Sequence, residues 1–290
     1  MTQNRYQKSG FFYLIIMPAF LVMLWLTIYP VLNVLSLSFF KYNYLSDEKT
    51  FIGLGNYLAI ARETLFQEAF LNTLTFSLLA TAAEVILGIA LALLFYGHFK
   101  AKKAFMIIVI FPMMLSSMVI CAVWKTLYHY DIGLINFLLR ESGGQPVGWL
   151  IDQSKALLSI VIVDVWQWTP FAFIMMQAAM GSIPEEIFEA AQLDGASYLK
   201  TTSRITLPIL SDQIMLLIML RTIDTFKLFG KVYALTQGGP GNSTETLSYY
   251  IYREGFSYFN LGKASSASLY VLLVVAGISF IYIRKILKKD

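Results

Sequence analysis

The chain is short of everything a soluble enzyme uses to do chemistry. Among its 290 residues there is one cysteine, Cys121, set in an apolar run. A single thiol excludes an intrachain disulfide, and its surroundings predict a small buried side chain. There are two histidines, His98 and His129. They fall in segments expected on opposite sides of a membrane, so they cannot share a metal. No G-x-x-x-x-G-K-[ST] occurs, and Gly262-Lys263 is followed by Ala264 without the upstream glycine, so no loop of this chain cradles a nucleotide phosphate. H-E-x-x-H, C-x-x-C and G-x-S-x-G are absent as well, which argues against an intramembrane enzyme. Charge is scarce too. Only 14 % of residues are Asp, Glu, Lys or Arg, against about 25 % in soluble domains. The net charge of +4 is spread over loops and termini and calls for no nucleic acid.

What is present is apolar surface, 57 % of the residues. A water-soluble body could not cover that much, so the composition predicts a polytopic membrane protein in a lipid bilayer. Six runs are long enough to span: 11–39, 71–96, 104–124, 156–180, 209–229 and 264–283. The first is too long for the apolar core of a signal peptide and reads as a retained span. Pro112 is expected to kink the third, and Pro170 lies inside the fourth. Polar loops connect them at 41–69, 125–155 and 230–263, with TQGGPGNST at 236–244 as the sharpest turn region. The small residues ASSAS at 264–268 permit close helix packing. Half of the 22 Lys and Arg fall in the about 50 residues on the N-terminal side of the membrane, and half in the about 100 residues opposite. That density, the short basic turn at 98–103 and the basic tail favour cytoplasmic termini.

The most informative stretch is 182–208, polar and acidic in an otherwise apolar chain. Ser182 and Glu185 have capping-box spacing. Pro184 suits a first turn, Glu185 and Glu186 suit the positive end of a helix dipole, and Gly195 suits a left-handed stop. The spacing predicts a helix of about three turns over 183–194, then a second helical stretch from Ser197. Ala190 and Ala191 are expected to form a flat patch beside Glu189, close to Asp194. By itself this reads equally well as an amphipathic helix packed on its own protein.

Glu189-Ala190-Ala191, Gly195, Ile205 and Leu207-Pro208 stand at the spacing of the EAA motif, seven fixed positions over 20 residues. The stretch resembles that of the membrane-spanning subunits of binding-protein-dependent ABC importers. Further likeness lies in Tyr29 with Pro30, FIGLGNY at 51–57, NTL at 72–74, Trp166 with Pro170, LTQGGP at 235–240 and YIY at 250–252. Together they cover nearly the whole chain and are similar to the maltose and glycerol-phosphate branch. Gln167 departs from that branch, which often has Lys there. The resemblance implies an all-α membrane protein, one domain over 1–290. It would have six spans and a cytoplasmic coupling helix between the fourth and fifth. It implies a carbohydrate importer in a prokaryotic cytoplasmic membrane. Its partners would be a second permease subunit, two ATPase subunits and an extracytoplasmic binding protein. ATP and Mg would be held by the ATPases, with no cofactor in this chain. It assigns Glu189, Ala190, Ala191, Asp194, Gly195, Ile205, Leu207 and Pro208 to ATPase coupling. An importer of another solute, such as a polyamine or phosphate ester, would use the same scaffold. A channel or secondary transporter would leave the acidic helix without a purpose.

Ionisable groups inside spans are costly and mark cavities or partners. Glu84 lies midway along the second run, and Asp164 in the fourth with Trp168 four residues on. Arg221 and Asp224 lie three apart in the fifth. Each has two readings: an ion pair or hydrogen bond between helices, or a sugar path in which carboxylates hold hydroxyls and Trp168 stacks on the ring.

Overall fold

The computed structural model describes residues 4–97 and 100–287, with side chains at 13, 15–97 and 100–285. His98, Lys288 and Lys289 lie outside the described residues, as do the side chains of Arg5 and Lys8. Helix α1 (Asn4–Ser38) leads into a hairpin of β1 (Phe40–Asn43) and β2 (Glu48–Phe51), followed by α2 (Gly55–Arg62). Then come α3 (Thr64–Leu94), α4 (Lys102–Met114), α5 (Ser117–Leu127), α6 (Leu134–Glu141) and α7 (Gln153–Met180). The polar stretch forms α8 (Glu185–Leu193), α9 (Tyr198–Thr201), a wide turn over Thr202–Thr206 and α10 (Leu207–Ile209). The chain ends with α11 (Ser211–Phe226), α12 (Gly230–Leu235), α13 (Leu247–Tyr252) and α14 (Leu261–Leu287).

Four of these helices are long and apolar enough to cross a membrane: Ile15–Ser38 within α1, α3, α7 and Leu261–Lys285 within α14. Two further crossings are available from bent pairs, Lys102–Met114 with Ser117–Leu127 at 96° and Tyr198–Ile209 with Ser211–Phe226 at 68°. Counting each pair once makes six. The third apolar run is therefore broken, where the sequence suggested a kink at Pro112. Pro112 sits in the last turn of α4 and is buried. The chain turns beyond it, through extended Leu115 and Ser116. A backbone carbonyl released at such a break needs a donor. The Gln167 amide, 2 % exposed, supplies it, 3.4 Å from the Leu115 carbonyl and 3.3 Å from Ser117 Oγ.

The described residues form two compact units, Met1–Arg62 with Ile251–Tyr270, and Glu63–Tyr250 with Val271–Asp290. In the first unit the loop expected at 41–69 begins with a hairpin. This is the one strand pairing among the described residues and a small exception to an all-α fold, with Phe40 opposite Phe51. Asn56, within FIGLGNY, explains the turn. Its amide donates to the carbonyls of Ser38 and Phe40 at 2.9 and 2.8 Å, closing the end of α1 onto the hairpin. Gly262 is required nearby, because a Cβ there would lie 2.0 Å from the Phe40 carbonyl oxygen.

In the second unit α3 and α7 pack along their length. Gly88 makes this possible: a Cβ there would lie 2.4 Å from that of Ala172, the close small-residue approach that membrane helices use when lipid removes the hydrophobic drive. Phe173, Met176, Met180, Ile183, Leu210 and Leu217 complete a core reaching to the polar stretch. At the other end of α7, Asp152 caps the helix and accepts from Ser154 N–H at 2.9 Å. Its hydrogen bonds to the Ser154 hydroxyl and amide hold its carboxyl below the usual carboxylate range. This contribution is present at neutral pH and is lost as pH falls through the lowered value. Before α7, buried Asn136 donates to the carbonyls of Tyr130 and Val147 and accepts from Val147 N–H and Trp149 Nε1–H. All four of its bonding positions are filled, so one side chain ties the 125–155 loop.

Candidate functional site

Helix α8 begins later than the capping-box reading proposed. The Ser182 hydroxyl donates to the Ala179 carbonyl at 2.7 Å, and Pro184 precedes the first helical residue with no side-chain cap. The physical reason is local. Ser182 and Ile183 N–H bond the Ala179 and Met180 carbonyls, so the serine finishes α7 and is too far back to start α8. The C-terminal expectation holds in full. Gly195 has φ +68, Gly195 N–H bonds Gln192 O, and Ala196 N–H bonds Ala191 O, each at 3.0 Å. That is a Schellman closure. The second helical stretch starts at Tyr198, as expected to within a residue.

Ile183 is buried, and Ile187 and Phe188 pack on the helix-bundle core, so α8 is seated by its apolar side. The expected Ala190–Ala191 patch is split by the helical repeat: Ala191 is buried at 6 %, whereas Ala190 is exposed. Glu189, Asp194, Gly195 and Pro208 are exposed, while Ile205 and Leu207 are half-buried. The outer surface also carries apolar residues that motif spacing did not single out. Leu193 is 90 % and Leu199 78 % exposed. Their charged neighbours are the signal that this is a water-facing surface with an unfilled apolar contact.

The intramembrane charges, read from sequence as three places, meet in one. Glu84 on α3, Asp164 on α7 and Arg221 on α11 are 0, 3 and 1 % exposed. Arg221 Nε and Nη2 donate to the two Glu84 oxygens at 2.5 and 3.0 Å, and Nη2 also donates to Asp164 Oδ2 at 3.2 Å. The other Asp164 oxygen accepts from Lys231 of α12. Lys231 was missed, because it was counted as part of a loop. The apolar residues directly after it, Val232 to Leu235, were the available sign of depth. The four side chains sum to zero charge and fasten four helices, with fork-to-carboxylate geometry on the Arg221–Glu84 side. Asp224, three residues from Arg221, is the outlying partner at 3.6 Å, with its side chain 56 % exposed.

The cluster changes what Asp164 and Trp168 can do. Both Asp164 oxygens already accept, and the Arg221 guanidinium carbon lies 5.1 Å from the Trp168 ring centroid, within cation–π range. A cavity of about 280 Å³ opens beside them, walled by Ser117, Trp168, Asp224, Lys227 and Phe229. Free hydrogen-bonding capacity at this depth therefore belongs to Asp224 and Lys227, both exposed, with Phe229 as a second ring.

Residues 84–290 match the family described as the binding-protein-dependent transport system inner membrane component. The trehalose/maltose transport system permease protein MalF of Thermococcus litoralis is 33 % identical over 283 residues, 97 % of this chain and 95 % of that protein. The trehalose transport system permease protein SugA of Mycobacterium tuberculosis is 31 % identical over 284 residues, covering 98 % and 91 %. Among solved structures, a bacterial ABC transporter involved in the import of the acidic polysaccharide alginate shares the fold, with a TM-score of 0.88 at 23 % identity and 98 % of each chain covered. With the matched family spanning α8 and all four residues of the charged cluster, the chain belongs to the binding-protein-dependent inner membrane permeases and is similar to their maltose type.

Proposed function

We propose that this chain is one permease subunit of an ATP-driven carbohydrate importer in a prokaryotic cytoplasmic membrane, with both termini cytoplasmic. An extracytoplasmic binding protein delivers the sugar, and a second, different permease subunit completes the path. Two ATPase subunits bind ATP and Mg and grip α8. The observation that carries the coupling role is the form of α8. Its inner side is seated on the bundle, its end is closed by Gly195, and it leaves Glu189, Ala190 and Leu193 uncovered. A rigid helix seated in this way passes a push from an ATPase groove into α7 and α11 as a body movement. The carbohydrate reading is supported by the relatives' trehalose and maltose names and by the ring-lined cavity beside the charged cluster. Asp164, Glu84 and Arg221 hold the wall of the path, and Trp168 and Asp224 face it.

Affinity capture of the tagged chain from its native host is expected to retain an ATPase and a second permease. Deletion of its gene is expected to abolish uptake of one carbohydrate. Capture without an ATPase, or unchanged uptake of every carbohydrate tested, would remove the proposal.

Sidedness has a separate check. Cys121 is 1 % exposed, so the native thiol is shielded. Cysteine at exposed Glu141 is expected to react with an impermeant maleimide in spheroplasts, and cysteine at exposed Lys200 only after lysis. Labelling of Lys200→Cys in intact spheroplasts would reverse the orientation.

A further inference from the structure

A larger cavity, about 550 Å³, lies away from the charged cluster. It is formed where the end of α5 and the loop after it meet the end of α12. Its volume is in the range of about 300–1,000 Å³ found for small-molecule sites. Three aromatic residues line it, Tyr128, Tyr130 and Trp149. Tyr128 and Trp149 are stacked, with centroids 5.4 Å apart, and form a rigid pair. Tyr128 is held from behind by its hydroxyl, which donates to the Ser159 carbonyl at 3.2 Å, and Trp149 by its bond to Asn136. Both polar tips therefore point into protein; Tyr128, 3 % exposed, backs the half-buried Trp149, whose ring is left as surface. Tyr130 is 41 % exposed.

The polar groups on this cavity are balanced: one ammonium, Lys125, and one carboxylate, Asp131. Lys125 makes a single long contact, 3.4 Å to the Ala234 carbonyl, so donors remain. His129 uses Nδ1 as an acceptor for the Asp131 and Ile132 amides, which leaves Nε2 as the ring's donor when neutral. Flat rings, an unspent acceptor, unspent donors and no net charge are the recognition set for a neutral polyhydroxyl ring, whose C–H faces stack and whose hydroxyls both give and accept. A charged ligand would leave either Lys125 or Asp131 facing a like charge.

The same two helices serve the smaller cavity. Ser117, at the start of α5, and Gly230 and Lys231, at the start of α12, line the cavity beside the charged cluster, while Lys125 and Leu235 line the larger one. From Ser117 to Tyr128 the helical rise gives a separation of about 16 Å, more than one sugar ring. We propose that the larger cavity is a saccharide staging site, taking a neutral mono- or disaccharide before it reaches the deeper cavity. Placing it on the receiving side rests on the importer reading and on its orientation; sugar binding itself does not.

The test uses the purified transporter complex in lipid nanodiscs without binding protein, with maltose and trehalose as probes read by saturation-transfer NMR. At least one probe is expected to bind saturably in the millimolar range. Tyr130→Ala and Asp131→Asn, both on exposed side chains, are expected to weaken that binding at least tenfold with the melting temperature unchanged. Phe229→Ala, at the deeper cavity, is expected to leave it intact. Absence of saturable binding by either sugar overturns the site. So does loss of binding in Phe229→Ala with retention in Tyr130→Ala. If the Tyr130 and Asp131 variants keep sugar binding and lose only docking of the binding protein, the cavity is a protein contact and the proposal falls. Failure of carbohydrate uptake in cells would count against the importer reading alone.

Discussion

Arg221→Met is expected to remove most of the assembled protein from the membrane. Methionine fills similar space, so packing changes little. The charge balance changes a great deal. Glu84, 0 % exposed, loses the guanidinium that donates to both of its oxygens, and no other cation is paired with it among the described residues. Asp164 keeps Lys231. The cluster passes from neutral to one net negative charge with a carboxylate unpaired in a low-dielectric interior. Removing one partner of a buried pair costs ~3–5 kcal/mol, about a hundred- to several-thousand-fold in the folded ratio at 1.4 kcal/mol per factor of ten. Adding Glu84→Gln removes the orphaned charge and is expected to recover much of the abundance and thermal midpoint. Fluorescence size-exclusion chromatography of tagged variants, with a thermal ramp, reads both quantities. Normal amounts and a normal midpoint for Arg221→Met alone would show that the cluster is not what fastens these helices.

The same cluster shows how far the sequence could be read. Each of Glu84, Asp164 and Arg221 stood out, since a charge in an apolar run is visible without a structure. An ion pair between helices was one of the two readings of each, Asp164 with Arg221 among them, and that pair is present; that Glu84 and Lys231 join them in one object was not visible. Intrahelical spacing offers Arg221 only Asp224, whereas its tighter partners lie 137 and 57 residues away. Nothing in a single sequence reports such a distance. Lys231 failed for a related reason, because α12 is only six residues long and too short for a periodic signal. The long helices were legible because hydropathy alone identifies them. The broken pairs were less so: Pro112 gave a bend in the run at 104–124, but the 96° turn falls beyond it, at Leu115 and Ser116, where Gln167 of another helix reaches the Leu115 carbonyl. In the polar stretch, Gly195 was legible because its positive φ is a property of one residue. Ser182 was misassigned because a serine between two helices satisfies the rules for ending the first as well as for starting the second. The Ala190–Ala191 patch was a matter of counting. Adjacent helix positions are 100° apart, and here that step carries Ala191 onto the side seated on the bundle while Ala190 stays outside it.

Gly195→Val is expected to abolish uptake while the protein is still made, inserted and stable. A Cβ built at Gly195 meets nothing within 4 Å, so the chain itself has room for a side chain. What it cannot accept is the backbone at φ +68. A β-branched residue in the left-handed region costs roughly 1–2 kcal/mol, small beside the stability of a bundle held by the charged cluster and the α3–α7 contact. The strain is relieved locally, by opening the two hydrogen bonds from Gly195 and Ala196 to the last turn of α8. The end of the helix then changes direction, and with it exposed Leu193 and Asp194. If α8 is the lever gripped by an ATPase, that end must fit a groove, and sugar-stimulated ATP hydrolysis and uptake should fall at least tenfold together. Gly195→Ala, with less strain, should fall between wild type and Gly195→Val. Glu189→Lys reverses a charge more than a full turn before Gly195 without touching the closure, so it should weaken ATPase retention and leave the melting temperature alone. Uptake, stimulated ATPase and copurified ATPase, measured on the same preparations, separate a broken lever from a broken path. A variant that damages only the path keeps its ATPase and its stimulation. Full uptake by Gly195→Val at normal expression would mean that α8 is an ordinary surface helix, whatever its sequence resembles.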